Sequence, residues 1–243
     1  MSNNNGEVEK KENGISFLLD PKYPLLQRYR DLCPGSFKHS QNLSSMVEGV
    51  ALALEIDSNN LKLAALYHDI GKTFNPIYFS ENQLDDESPH ANITPKMSYE
   101  IITRHVSDSV LIMINDGNFP LKVINMVAQH HGQSVLKYFF IKSNSDNDDL
   151  YRYRSAKPTC VESAILMICD SIEATSKSKI KSNDFNPSSI INNTINGLIE
   201  DGQCDEVYMK LGDLGKIKKA LSKEMEGMYQ KRVDYDKEVV SND

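Results

Sequence analysis

Apolar positions recur along this chain at steps of three and four residues, the signature of helices with one buried face. Leu43, Met46, Val47, Val50 and Leu54 predict a helix over about 36–55. Ile101 and Ile102 follow a Thr94-Pro95 start, and Val123, Ile124 and Val127 follow Pro120. Val161, Ala164, Ile165, Ile168 and Ile172 form another stripe, and Leu214, Ile217, Leu221, Met225 and Met228 a last one over about 213–231, after a helix over about 190–200. A short helix is expected from Pro24 to Leu32, broken by Cys33-Pro34-Gly35. Ser36 is placed to cap the helix that follows, and Thr159 with Glu162 reads as a capping box. Residues 61–73, LKLAALYHDIGKT, predict an apolar helix that starts after Asp57-Ser58, runs up to Gly71, and carries His68 and Asp69 at its polar end. The expected fold class is all-α, a helical bundle in a single domain.

Between the stripes lie segments of different character. Residues 1–14 are polar and aperiodic and predict a disordered tail. Residues 73–88 are polar and aromatic, with Asn75-Pro76 forbidding helix, and predict a loop overhanging whatever the His68-Asp69 pair serves. Residues 143–157 combine an acidic run with Tyr151, Arg152, Tyr153 and Arg154, and residues 176–189 form a Ser/Asn-rich linker. The division expected is a tail (1–14), an N-terminal helical segment (15–35), one catalytic domain (36–232) and a C-terminal tail (233–243).

Composition narrows the function. With 243 residues, 40% hydrophobic, the chain can bury one sizeable core. A net charge of -7 argues against a duplex nucleic-acid binder, which presents a basic face. No apolar run reaches about 18 residues, and no secretory signal is recognisable, so neither a membrane partner nor export is expected and the cytoplasm is the default. Cys33, Cys160, Cys169 and Cys204 show no CxxC spacing and read as free thiols. Oligomeric state is left open.

The candidate chemistry lies in the six histidines. An isolated His-Asp pair at a helix end is ordinarily a solvated contact. Here, however, His39, His105, His130 and His131 also fall on or beside the apolar faces of predicted helices, as does Asp170. Buried charge needs a partner, and this set offers six or seven N and O donors, enough for two divalent metals of the iron or manganese type with Asp69 bridging them. Only one of His130 and His131 is expected as a ligand. Lys72, one turn past the pair, is the candidate phosphate contact and catalytic cation. His90, in the loop, is a possible substrate contact. The alternation of Tyr151, Arg152 and Arg154 would suit a base and a second phosphate. Gly71-Lys72-Thr73 is not a P-loop, because Leu66 occupies the required glycine position. No GxSxG elbow is present.

These residues carry a family resemblance. His39, His68-Asp69, His105, His130-His131 and Asp170 resemble the ligand set of the HD-domain metal-dependent phosphohydrolases. YHDIGKT-NP-YF-ENQ (67–83), SPH---TP--S--II--HV (88–106), QHHG-S--KYF (129–139) and KP---ESAI-M--DS-EA (157–174) resemble more narrowly the HD domain of the seven-transmembrane-helix HD family, whose members cleave cyclic di-AMP. The resemblance implies an HD helical bundle, one metal on His39, His68, Asp69 and Asp170, and a second on Asp69, His105 and one of His130 or His131. It also implies hydrolysis of a cyclic dinucleotide to a linear 5′-phosphorylated product by a metal-activated water. Hydrolysis of another nucleotide phosphoester, or a mixed-valent di-iron oxygenase, would use the same ligands; the flanking motifs favour the phosphodiesterase. A sensing module would lack a ligand, and none is missing.

Overall fold

The structure is a computed structural model that describes residues 14–83 and 88–240, with side chains to residue 228; most of the expected N-terminal tail lies outside the described residues. It is a bundle of α-helices: α1 (Pro24–Leu32), α2 (Pro34–Leu54), α3 (Asn59–Tyr67), α4 (Pro95–Asp116), α5 (Leu121–Gln129), α6 (Lys137–Ser143), α7 (Val161–Lys181), α8 (Pro187–Glu200) and α9 (Leu211–Val240). The longest stripes read from the sequence are the core. Leu43, Met46, Val47 and Val50 of α2 pack with Leu61, Leu63, Ala64 and Ala65 of α3 and with Ile165, Ile168 and Ile172 of α7. Ile217, Leu221 and Met225 of α9 close the same core. The N-terminal segment belongs to it too: Leu18 and Tyr29 are fully buried, and the Tyr67 hydroxyl donates to the Leu18 carbonyl at 2.7 Å.

Several local expectations are corrected. Pro34 does not separate two helices by a loop; it occupies the first turn of α2, where its missing N–H costs nothing, and Cys33 alone stands between α1 and α2. Ser36 is therefore inside the helix instead of capping it. The α7 start carries no capping box: Cys160 is the cap residue, Thr159 bonds Gln129, and Glu162 pairs with Lys122 at 2.7 Å across to α5. The helix α7 continues through Lys181, so the first residues of the expected linker are helical, and α9 continues to Val240, beyond the expected domain end. Thr94 does cap α4, accepting from the Met97 amide. Residues 70–82 form three short 3-10 turns, as a loop interrupted by proline should. The short α6 was not anticipated.

Candidate metal centre

The helix α3 ends at Tyr67, earlier than its apolar pattern suggests, and the chain turns at His68 and Asp69 into a 3-10 segment. The turn is clamped by α4: the Ser109 hydroxyl donates to the His68 carbonyl and accepts from the Gly71 amide, each at 2.8 Å. Gly71 does not stop the helix by a left-handed conformation. It makes room, since a Cβ there would lie 2.2 Å from the His105 carbonyl oxygen. Gly132, by contrast, has φ of +49° and lets the chain reverse directly after His130 and His131.

These constraints bring every histidine of the set except His90, together with both aspartates, to one point. Asp69 turns its two oxygens in different directions. Oδ2 lies 3.1 Å from His68 Nε2 and 3.9 Å from His39 Nε2, while Oδ1 lies 3.2 Å from His105 Nε2. Asp170 Oδ1 is 2.9 Å from His39 Nε2 and 3.6 Å from His68 Nε2, and its Oδ2 is 3.5 Å from His131 Nδ1. His130 Nε2 sits 3.2 Å from His105 Nε2. All seven side chains are buried except His131, which is partly open to a cavity of about 670 Å³.

Hydrogen bonding fixes which nitrogen of each ring is available. A carbonyl can only accept, so Nδ1 of His68, His105 and His130 donates to the carbonyls of Ala65, Ile102 and Val127 respectively, three residues back in each case. Nε2 of each of these rings then faces inward. His39 Nδ1 donates to Glu173 Oε2 at 2.6 Å, the carboxylate support that metal-ligating imidazoles commonly have. Glu173 is fully buried and its other oxygen accepts from Asn42 at 2.9 Å.

The arrangement fits divalent cations. Buried His68 Nε2 and Asp69 Oδ1 have no hydrogen-bond partner among the described residues, and unpaired lone pairs 3.2 Å apart on His105 and His130 repel unless a cation lies between them. Donor atoms of His39, His68 and Asp69, of His68, His130 and Asp170, and of His105, His130 and His131 lie within 4.8 Å of one another. Burial, reinforced by neighbouring histidines, lowers His130, and burial lowers His131 to about 3, so both rings are neutral donors. Burial opposes ionisation of Asp69 and Asp170, but His68 and Lys72 outweigh it at Asp69, and His39 and His68 at Asp170, holding both well below the usual carboxylate range. Burial likewise opposes the charge on His68, yet the adjacent Asp69 carboxylate raises it to about 10; protons hold this site together where a metal can replace them.

The HD domain family model matches residues 36–175, a span that contains every residue of the cluster. The chain belongs to the HD domain family. The cyclic-di-AMP phosphodiesterase PgpH of Listeria monocytogenes is 34% identical over 222 residues, covering 90% of this chain and 31% of that protein. PgpH of Bacillus subtilis is 32% identical with the same coverage. The chain thus spans about a third of the length of these curated relatives. The solved HD domain of Listeria PgpH superposes with a TM-score of 0.80 at 34% identity, covering 86% of this chain and all of that one, and it has also been solved in complex with cyclic-di-AMP.

Within this HD domain, four further residues expected at the site, Tyr151, Arg152, Arg154 and His90, are placed elsewhere. Tyr151 ends a 3-10 turn, and Arg152 then forms an isolated antiparallel bridge with Val135, flanked by the Leu136 amide donating to the Tyr151 carbonyl and the Tyr153 amide donating to the Ser134 carbonyl. Tyr151 enters a separate cluster with Tyr99 and Phe139, and Arg152 turns outward to Asp148, Asp149 and Asp201. Arg154 is exposed, donating to the Asp149 carbonyl. Tyr153 is the residue that reaches the cavity, stacked 4.3 Å from the His131 ring. His90 is not solvated but buried: its Nε2 donates to the Tyr78 carbonyl and its ring rests on Phe139. Lys72 does line the cavity, though its ammonium is held between Asp69 Oδ2 at 2.8 Å and Glu81 Oε1 at 2.7 Å. Glu81 was not singled out from the sequence, and neither was Glu173 as a support for His39. Glu173 had a signal, since it lies three residues after Asp170 on one helical face.

Proposed function

We propose that this domain hydrolyses a cyclic dinucleotide, cyclic di-AMP foremost, to the linear 5′-phosphorylated dinucleotide, with two divalent ions of iron or manganese as cofactors and residues 36–232 as the catalytic unit. The observation that carries the proposal is a buried seven-residue donor cluster at the base of a 670 Å³ cavity, on a chain similar to a domain solved with cyclic-di-AMP. His39, His68, Asp69 and Asp170 would hold one ion, and Asp69 and His105 the other, with both His130 and His131 within reach of it where one of the pair was expected. When bound, the ions supply charge neutralisation at the phosphate and a water of lowered pKa.

The chain's own residues do the rest. Asp69 addresses both halves of the cluster through separate oxygens, which fixes their spacing. Glu173 holds His39 in one tautomer. Burial would raise the Glu81 carboxyl, but the Lys72 ammonium brings it down to about 2, so the Glu81–Lys72–Asp69 chain of charges stays ionised beside the phosphate position. Tyr153, Phe79 and Ile102 give the cavity apolar and aromatic walls for ribose and base and limit the entry of bulk water. Cleavage then breaks the P–O3′ bond, the water oxygen joins phosphorus, and the 3′ oxygen leaves as a hydroxyl.

The test is product identification. Metal-loaded protein is incubated with cyclic di-AMP, cyclic di-GMP and a mixed cyclic dinucleotide, and the products are separated by chromatography. Appearance of the linear 5′-phosphorylated adenine dinucleotide supports the proposal. Oxygen consumption with an organic substrate and no cleavage of any cyclic dinucleotide would replace it with the oxygenase reading.

A further inference from the structure

A cyclic dinucleotide carries two phosphodiesters, and the donor cluster addresses only the one that is cut. With Arg152 and Arg154 turned away, the second phosphate needs another cation, and the cavity supplies one on α7. Asp170, Glu173, Ala174, Lys177, Ser178 and Lys181 all line it. Their spacing of three and four residues places them on one helical face, running from the donor cluster to the mouth. At 1.5 Å per residue, Lys177 lies about 10 Å and Lys181 about 16 Å along the axis from Asp170. Side chains on a helix lean toward its N-terminus, so both ammonium groups point back toward the cluster. Lys177 demonstrates this, reaching Glu173 Oε1 at 3.1 Å. On α2, Lys38 lines the same cavity next to His39.

The two ends of the cavity thus differ. At its base, the Lys72 charge is consumed by Asp69 and Glu81. At its mouth, Lys38 and Lys181 are exposed and form no ion pair with any described residue, although the protein as a whole carries a net charge of -7. Ala174 and Ile180 lie along the same cavity wall and offer apolar surface to a ribose.

We propose that Lys38 and Lys181, whose charges are unpaired among the described residues, together with Lys177, whose charge is shared with Glu173, form a subsite for the phosphate that is not cut, so that the domain selects ligands bearing two phosphates on one small ring. This rests on the cyclic-dinucleotide reading and adds a specificity-determining subsite to it. Lysine suits the role, because a point charge on a flexible stem follows either phosphate oxygen without demanding a bidentate geometry.

The experiment compares cyclic di-AMP with bis(p-nitrophenyl) phosphate, a diester with a single phosphate, in wild type, Lys177→Ala/Lys181→Ala, Lys38→Ala/Lys181→Ala and Lys177→Arg, with metal content measured in each. A charged hydrogen bond to phosphate is worth roughly a 10- to 100-fold change in binding. The expected result is that the ratio of kcat/KM for cyclic di-AMP to that for the single-phosphate diester falls by roughly this factor in both double variants, through KM, and that Lys177→Arg restores most of it. An unchanged ratio while the wild type cuts cyclic di-AMP overturns the subsite and leaves the function standing. A parallel loss of both substrates with loss of metal also overturns it, since Lys177 would then act through Glu173 and His39. A wild type that cuts the simple diester but no cyclic dinucleotide overturns both readings.

Discussion

Replacing Gly71 by alanine should unhinge half of the donor cluster. The added methyl would lie 2.2 Å from the His105 carbonyl oxygen, 2.5 Å from the Ser109 nitrogen and 2.9 Å from Asp108 Cβ. Two of these are backbone atoms of α4, so no side-chain rotation relieves the clash, and the helix must withdraw by about 1 Å to restore ordinary contact. That movement stretches the two 2.8 Å hydrogen bonds of Ser109 and carries His105 away from Asp69, now 3.2 Å distant. Overpacking costs about 1–3 kcal/mol, and weakening two buried hydrogen bonds adds about 1 kcal/mol or more. For a chain of this size a loss of about 3 kcal/mol corresponds to a fall in Tm of roughly 6–12 °C. Metal sites tolerate misplacement of only about 0.2 Å, so the half built on His105 should lose its ion while the half built on His39 keeps it. Calorimetry of the metal-free variant measures the first effect and elemental analysis the second. A variant with unchanged Tm and full metal content would show that α3 and α4 are not wedged together at this glycine.

Other outcomes follow from the same geometry. Glu173→Ala should weaken metal affinity by roughly 10- to 100-fold in chelator competition, with Glu173→Gln intermediate, because His39 loses the partner of its Nδ1–H. Metal-free protein should be most stable at and below about pH 6.5 with respect to His68 and lose that contribution as pH rises toward about 10: the folded pKa is raised above the unfolded one, so it is the protonated form that folding favours. Metal binding at neutral pH should accordingly release protons, seen by titration calorimetry in buffers of different ionisation enthalpy, and thermal melts of loaded protein should move the opposite way with pH. Arg152→Ala should leave cyclic-dinucleotide turnover within about twofold and cost about 1 kcal/mol of stability through its partly exposed pairs with Asp148 and Asp201, whereas Tyr153→Ala should raise KM.

What the sequence revealed follows the reach of helical periodicity. Leu43 to Leu54 and Val161 to Ile172 announced α2 and α7, and the histidines could be placed because each shares or borders a stripe. The pair His68-Asp69 was visible, but not the early end of α3, since the tie from Ser109 comes from a helix about 40 residues away. The same limit explains Thr159, whose partner Gln129 no local rule supplies. Tyr151 to Arg154 misled because their side chains diverge where a 3-10 turn gives way to a bridge between Arg152 and Val135, a contact no local rule supplies. Glu81 depends on the 79–82 turn docking at Gly35 and Ser36, where the Ser36 hydroxyl donates to its carboxylate at 2.7 Å.

The most direct measurement counts metal per chain in wild type and in Asp69→Ala, purified in parallel with iron or manganese supplied. A centre bridged by the two oxygens of Asp69 predicts two equivalents in the wild type and loss of both in the variant. Two equivalents retained by Asp69→Ala would contradict the bridged centre on which the account stands.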